Sequence, residues 1–324
     1  MVKWGILGPG NIAKKFASDL RLVPNAVLSA VASRNLDKAE KFADEFKAER
    51  ALGSYQELFE DKEVQVIYIA TPHNNHAELS IKAMNHGKHV LCEKPIGVNA
   101  KEVTAMVAAS KKNGVFLMEG LWSRFNPAIK KVKQLIEEGE IGKLSYLYAD
   151  FAFYGIGRDK DSRLLNPYLA GGSLLDIGIY PVFLAYLFLG KPQSILAASN
   201  FYETGVEVQT SMIFKYPDAQ AMLYSGLTSN SQSIAEFSGS KGSIVIPTRW
   251  HEAQSYILKK EEDSDTVSLP TKGIGFTHEI EEVQQCILEN KIESTLWTHK
   301  NSIELVELLD SIRKQVGIVF PFEE

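Results

Sequence analysis

The sequence predicts an α/β fold: a doubly wound parallel sheet, followed by an α+β domain with an open, mostly antiparallel sheet. Three observations predict it. In the first third, short apolar runs alternate with stretches of helical periodicity, the pattern of parallel strands joined by right-handed helical crossovers. Beyond Phe125, strand-like runs follow one another with few helices between them. Finally, 324 residues at roughly 100 to 200 per domain leave room for about two domains. We place them at 1–121 and 122–324.

Val2–Leu7 is an apolar run closed by a glycine turn and reads as the first strand. A helix follows from Asn11 toward Leu20, then the run Val27–Ala32, a helix starting near Leu36, and the run Val64–Ala70. The helix His76–His86 leads to the strand His89–Cys92, and the helix Ala100–Asn113 to the strand Val115–Met118. In the second domain Lys130–Glu138 is helical and stops at Gly139, and Lys143–Tyr154 alternates like a long antiparallel strand. Gly171-Gly172 introduces a helix reaching about Leu189. Ser194–Tyr202, Glu207–Tyr216, Gln220–Thr228, Ile234–Phe237 and Ser255–Leu258 read as strands separated by turn residues. The charged stretch Lys259–Asp265 reads as a solvated hairpin tip, and helices over Thr277–Asn290 and His299–Val316 end the chain.

Composition excludes several function classes. Lys plus Arg is 35 against 40 Asp plus Glu, a net charge of −5 without a basic block, so nucleic acid is not an expected partner. Cys92 and Cys286, the two cysteines, cannot build a disulfide framework or a paired zinc site, which fits the reducing cytosol, a cytoplasmic location. The N-terminus, broken early by Gly8, Pro9 and Gly10, is neither a secretory nor a mitochondrial leader. No run of about 18 apolar residues marks a membrane span.

The first strand runs into Gly8-Pro9-Gly10-Asn11-Ile12-Ala13, a G-x-G-x-x-A turn opening a helix, which is the context a Rossmann dinucleotide fingerprint requires. Gly8 permits the turn, Gly10 lets backbone approach a pyrophosphate, and Ala13 lets helix and strand pack closely. The helix N-terminus, with Asn11 and Ile12, offers N–H groups to phosphate. At the end of the second strand, where a carboxylate would grip the ribose of NAD, the chain reads Ala32-Ser33-Arg34-Asn35. Ser33, Arg34 and Lys38 could instead hold a 2′-phosphate, so NADP(H) is expected over NAD(H); the other reading of Arg34 is a solvated surface arginine.

Thr71-Pro72-His73-Asn74-Asn75-His76 ends the third main strand and should line the cofactor. His73 and His76 have the spacing of a metal pair but lack nearby acidic or thiol ligands, so no metal is expected and His76 reads as a helix-start residue packed on the sheet. Cys92-Glu93-Lys94-Pro95 ends the next strand; Lys94 would project beside the nicotinamide with Glu93 anchoring the loop. In Gly171-Gly172-Ser173-Leu174-Leu175-Asp176-Ile177-Gly178-Ile179-Tyr180-Pro181, Asp176 and Tyr180 are four apart and share one helix face. A phenol can exchange a proton with a substrate oxygen and a carboxylate can orient it; the other reading is a helix start with a half-buried tyrosine.

These motifs, in this order and spacing, resemble the Gfo/Idh/MocA oxidoreductases over essentially the whole chain. Glu119-Gly120-Leu121-Trp122-Ser123-Arg124-Phe125-Asn126-Pro127 and Ile318-Val319-Phe320-Pro321 look most like the branch containing dimeric dihydrodiol dehydrogenase and NADP-dependent D-xylose dehydrogenase. The resemblance implies NADP as cofactor, acid–base work shared by Lys94 and Tyr180, and a supporting Asp176. Many relatives outside this branch have histidine where this chain has Tyr180. Trp122 and Arg124, where the first domain passes into the second, either wall the substrate pocket or serve structure. The resemblance further implies a homodimer, or dimer of dimers, through the exposed face of the C-terminal sheet. A non-catalytic NADP(H)-binding regulator is the competing class; such a sensor would need only the glycine turn with Ser33 and Arg34.

Overall fold

The computed structural model describes residues 1–323. They divide into two compact units, one of Met1–Arg124 with Lys272–Ile303, the other of Phe125–Thr271 with the residues from Glu304 on. The sequence reading sets a single boundary at 121/122, whereas the chain after Thr271 returns to the first unit. The Asp19 side chain captures that returning segment, accepting the backbone N–H groups of Ile274, Gly275 and Phe276 at 2.8–3.0 Å. Helical periodicity in 277–290 reveals a helix but carries no address, so this return is not readable from pattern alone.

The first unit runs β1 (Val2–Leu7), α1 (Asn11–Leu20), β2 (Ala26–Ala32), α2 (Leu36–Phe46), β3 (Arg50–Leu52), α3 (Tyr55–Glu60), β4 (Val66–Ile69), α4 (His76–Asn85), β5 (His89–Glu93), α5 (Ala100–Asn113) and β6 (Leu117–Gly120). The six strands pair in parallel in the order β3-β2-β1-β4-β5-β6, a doubly wound sheet whose direction of winding reverses between β1 and β4. Caps set the helix starts. Asn35 accepts from the N–H of Lys38 at 3.1 Å, and before α5 Asn99 accepts the N–H of Glu102 while the Glu102 carboxylate reaches back to that of Val98, each at 3.0 Å. The second-strand, third-strand and helix expectations hold to within a few residues, while β3 and α3 are additions.

In the second unit come α6 (Pro127–Glu137), β7 (Leu144–Ala152), α7 (Ile179–Leu189), β8 (Ser194–Phe201), β9 (Glu207–Lys215), β10 (Gln220–Gly226), β11 (Ala235–Gly239), β12 (Gly242–Ile246), β13 (Ser255–Lys260) and β14 (Asp263–Ser268). Their order is β14-β13-β12-β11-β7-β10-β9-β8. β7, expected to be antiparallel, lies at the centre and pairs parallel to β10 and antiparallel to β11, so the sheet is mixed around one strand. The hairpin tip expected over 259–265 is narrower, because β13 and β14 pair as far as Lys260 and Asp263. α8 (Thr277–Leu288) belongs to the first unit, and the last boundary falls inside α9 (His299–Val316).

α7 covers the sheet from one side, and every side chain from Gly171 to Tyr186 is buried. Among the described residues, Pro167–Leu189 is long and apolar enough to cross a membrane by length and composition, and 78% of its most apolar window is buried inside the fold. It is the core helix of the second unit. On the opposite side of the sheet, Leu196, Ile213 and Met222 are partners in register, followed by Tyr148, and the three aliphatic side chains stay exposed.

Candidate active site

In the first unit, register brings the expected cofactor residues to one edge. Leu7 pairs with Ala32 and Ile69, and Ile69 with Cys92, so Gly8, Ser33, Thr71 and Lys94 all follow closely on the same row of strand ends. That is the carboxyl edge at the switch point, where open α/β sheets bind ligands. Gly8 has φ +93°, and a Cβ there would stand 3.1 Å from the Ala70 carbonyl oxygen, so both conformation and space call for glycine. Gly10 is different. Its φ of −91° suits any residue and a Cβ would meet nothing within 4 Å. The space a side chain would take lies open beside the start of α1, which has no side-chain cap. A pyrophosphate fits that combination of open space and uncapped N–H groups at Asn11 and Ile12.

Ser33 is buried and its Oγ accepts the N–H of Asn35 at 3.2 Å, while Arg34 and Lys38 are exposed at the start of α2. Thr71 and Pro72 are partly exposed and His73 is nearly buried. His76 is wholly buried, with Nδ1 2.7 Å from the Pro95 carbonyl oxygen and Nε2 2.8 Å from that of Thr71. Its ring therefore ties the Thr71 loop to the loop after Lys94 instead of facing the open edge. Burial lowers its pKa against the pull of those two carbonyls. Among the described residues, no group of three or more His, Cys, Asp or Glu is placed to hold a metal ion.

Lys94 is half-buried on a loop fixed from three sides. Glu93 accepts the Tyr68 hydroxyl and, at 3.2 Å, the N–H of Lys94. Glu119, at the end of β6, accepts the N–H of Ile96 at 3.1 Å, Trp297 Nε1 at 3.1 Å and the Ser302 hydroxyl at 2.8 Å. Burial raises the Glu119 pKa and these donors and the Lys94 charge pull it back. Glu279 on α8 is wholly buried, and neither of its oxygens has a hydrogen-bond partner. Burial first, then the charges of Glu93 and Asp19, raise its pKa well above the usual carboxylate range. Trp122 stacks on Phe276 with ring centres 4.7 Å apart, and Arg124 donates from Nε to the Leu296 carbonyl at 2.9 Å.

In the second unit, Asp176 and Tyr180 are each about 5% exposed. The plain helix expected here is instead a π-turn over Leu174–Gly178 that runs into α7 at Ile179. Asp176 thus sits on the wider turn and Tyr180 on the regular helix; such turns recur where function overrides regular packing. Arg163 donates to Asp176 at 2.7 Å. The Tyr180 ring lies 5.4 Å from that of His251, which stacks on Phe151 at 4.1 Å. Sequence reasoning passed over Arg163, His251 and Glu207, which reach the segment from elements remote along the chain. Glu119 was quoted only as part of a motif.

Residues 2–121 match the model described as oxidoreductase family, NAD-binding Rossmann fold, and residues 129–245 match the GFO/IDH/MocA C-terminal domain. The chain is 36% identical over 330 residues to trans-1,2-dihydrobenzene-1,2-diol dehydrogenase of Mus musculus, covering 99% of this chain and 98% of that one. It is 32% identical over 329 residues to the scyllo-inositol 2-dehydrogenase (NADP(+)) IolU of Bacillus subtilis, covering 100% of both. Among solved structures it is similar to KijD10, a 3-ketoreductase from Actinomadura kijaniata in complex with NADP and TDP-benzene. That match has a TM-score of 0.88 and 26% identity over 97% of this chain and 98% of the other.

Proposed function

This chain belongs to the Gfo/Idh/MocA oxidoreductase family, and from that premise we propose that it transfers a hydride between NADP(H) and the CH–OH carbon of a sugar, polyol or related diol. The observation that carries the reading is the open space beside Gly10 at the switch point, on a chain matched end to end by relatives named for diol and inositol dehydrogenation. When bound, the nicotinamide supplies the hydride chemistry. The residues of this chain bind, orient and move a proton. Gly8, Gly10, Asn11 and Ile12 take the pyrophosphate. Thr71, Pro72 and His73 border the cofactor, with Glu93 and His76 holding their loops. Tyr180 takes the hydroxyl proton during oxidation, Lys94 stabilises the phenolate, and Asp176 fixes the orientation. Trp122 and Arg124 contact substrate.

The test is a screen of sugars, polyols and diols with NADP+, followed at the reduced-nicotinamide absorbance band. Turnover of at least one class is expected. NADP binding without turnover on any of them would return the chain to the class of non-catalytic regulators.

NADP is proposed over NAD because Arg34, just past the end of β2, and Lys38, in the first turn of α2, are both exposed, and no carboxylate precedes Asp37 there. The relative IolU is named for NADP(+), and the similar 3-ketoreductase holds NADP. Arg34→Ala should remove a charge-assisted contact worth about 1.5–3 kcal/mol, weakening NADP binding roughly ten- to a hundredfold and leaving NAD binding nearly unchanged. Equal losses for both cofactors, read by fluorescence titration, would defeat this assignment.

We further propose a cytoplasmic homodimer. Both cysteines are unpaired and buried, which suits a reducing compartment. The exposed row Leu196, Ile213 and Met222 supplies an apolar face for a second copy. Leu196→Glu would place a charge in that row, and sedimentation should then show monomer where the parent chain shows dimer. A monomeric parent chain would end the proposal.

A further inference from the structure

Glu207 opens β9 and is 1% exposed. Its carboxyl accepts the backbone N–H of Leu174, the residue that opens the π-turn. The Ser173 hydroxyl in turn lies 3.0 Å from that of Ser225 on β10. Gly172 makes this approach possible: it has φ +118°, and a Cβ there would overlap the Glu207 carboxyl. The first N–H groups of a helix have no partner within it, and Ser173 supplies no local cap for the π-turn. The partner comes from a strand of the sheet beneath.

We propose that Glu207 is a positioning residue that fixes the first turn of the segment bearing Asp176 and Tyr180. This rests on the reading that those two side chains work on the substrate hydroxyl. The turn is one a plain helix would not adopt unaided, and its widened backbone places Asp176. A buried carboxylate that accepts the leading N–H of that turn, with Ser173 tied to Ser225 beside it, holds its register. Glu207 does so with no cation paired to it among the described residues.

The groups around it are few. Val206 and Val208 flank it on the chain within an apolar cluster, Phe201 is its register partner on β8, and β10 presents Ser225. On the π-turn the charges are Asp176 and its partner Arg163. Burial raises the carboxyl pKa to about 7 despite the donated hydrogen bonds. The ionised, fully accepting form therefore prevails above about pH 7. Because the folded value exceeds the unfolded one, the folded state takes up a proton between about pH 4.5 and 7, and stability falls as pH rises through that window. Positioning is strongest where this group stabilises least.

The experiment compares Glu207→Ala and Glu207→Gln with the parent chain by hydrogen–deuterium exchange over residues 172–180 and by steady-state kinetics. At pH 8, Glu207→Ala should speed exchange in that segment about tenfold or more and lower kcat about a hundredfold, with KM for NADP unchanged. Glu207→Gln keeps a carbonyl to accept the Leu174 N–H, so it should restore most of both and lose the pH dependence near 7. Unchanged exchange over 172–180 in Glu207→Ala would overturn the inference. Should Glu207→Ala not fold, the parent chain decides: its protection there, corrected for intrinsic rates, must differ between pH 6 and 8 while that of Glu207→Gln does not, and equal behaviour overturns it. A parent chain that turns over no substrate defeats the proposed function, and the exchange result still judges Glu207.

Discussion

Replacing Lys94 with Met should lower kcat by about 10²–10⁴-fold and leave the Kd for NADP nearly unchanged. Met keeps the unbranched stem of lysine, so the half-buried loop between β5 and α5 retains its packing and loses only the ammonium. The loop has other supports: Glu93 holds the N–H of Lys94, and Glu119 that of Ile96. Tyr180→Phe should cost a similar factor. If both groups serve one proton transfer, the double variant will be little slower than the worse single one, since removing a second member of a unit takes away what is already lost. Losses that multiply would mean that the two act independently. Full activity in Lys94→Met would refute its role outright.

Asp19→Ala should destabilise the protein by about 3–5 kcal/mol, read as a drop in the urea midpoint. The Asp19 side chain is 1% exposed and receives three consecutive backbone N–H groups, those of Ile274, Gly275 and Phe276. Alanine would leave these donors without a partner, with Gly275 and Phe276 inside the protein. Gly273 is part of the device, because a Cβ there would overlap the Asp19 carboxyl and φ is +66°. Asp19→Asn, with one amide oxygen still accepting, should fall between the two. A loss under about 1 kcal/mol in Asp19→Ala would show that water replaces the carboxylate. Phe276, the last of the three, stacks on Trp122, so the alanine variant should also disturb that tryptophan's emission.

Much of the first unit was legible because a parallel sheet buried on both faces leaves near-continuous apolar runs, and those of β1, β2, β4 and β5 are such runs. The glycine turn could be read because backbone conformation at Gly8 demands that residue. β3 could not, since Arg50, Ala51 and Leu52 are too few to show a period. β14 escaped because its sequence, Asp263–Ser268, is polar and exposed along an edge and looks like a solvated charge run. At the candidate site, Lys94, Asp176 and Tyr180 were legible as motif members. Arg163, Glu207 and His251 were not, because what joins them to Asp176, Leu174 and Tyr180 is strand register and loop path, neither of which leaves a local pattern.

The order in which the ribosome delivers the chain gives the capture of residues 274–276 by Asp19 a further meaning. When 1–124 has emerged, its six strands are complete, yet the Asp19 carboxylate has nothing to bind and Leu117 lacks the carbonyl of Ile292 that its N–H reaches at 3.0 Å. The nascent first unit waits, unfinished, through the synthesis of the whole intervening sheet, so its final closure can follow only after that sheet has been made.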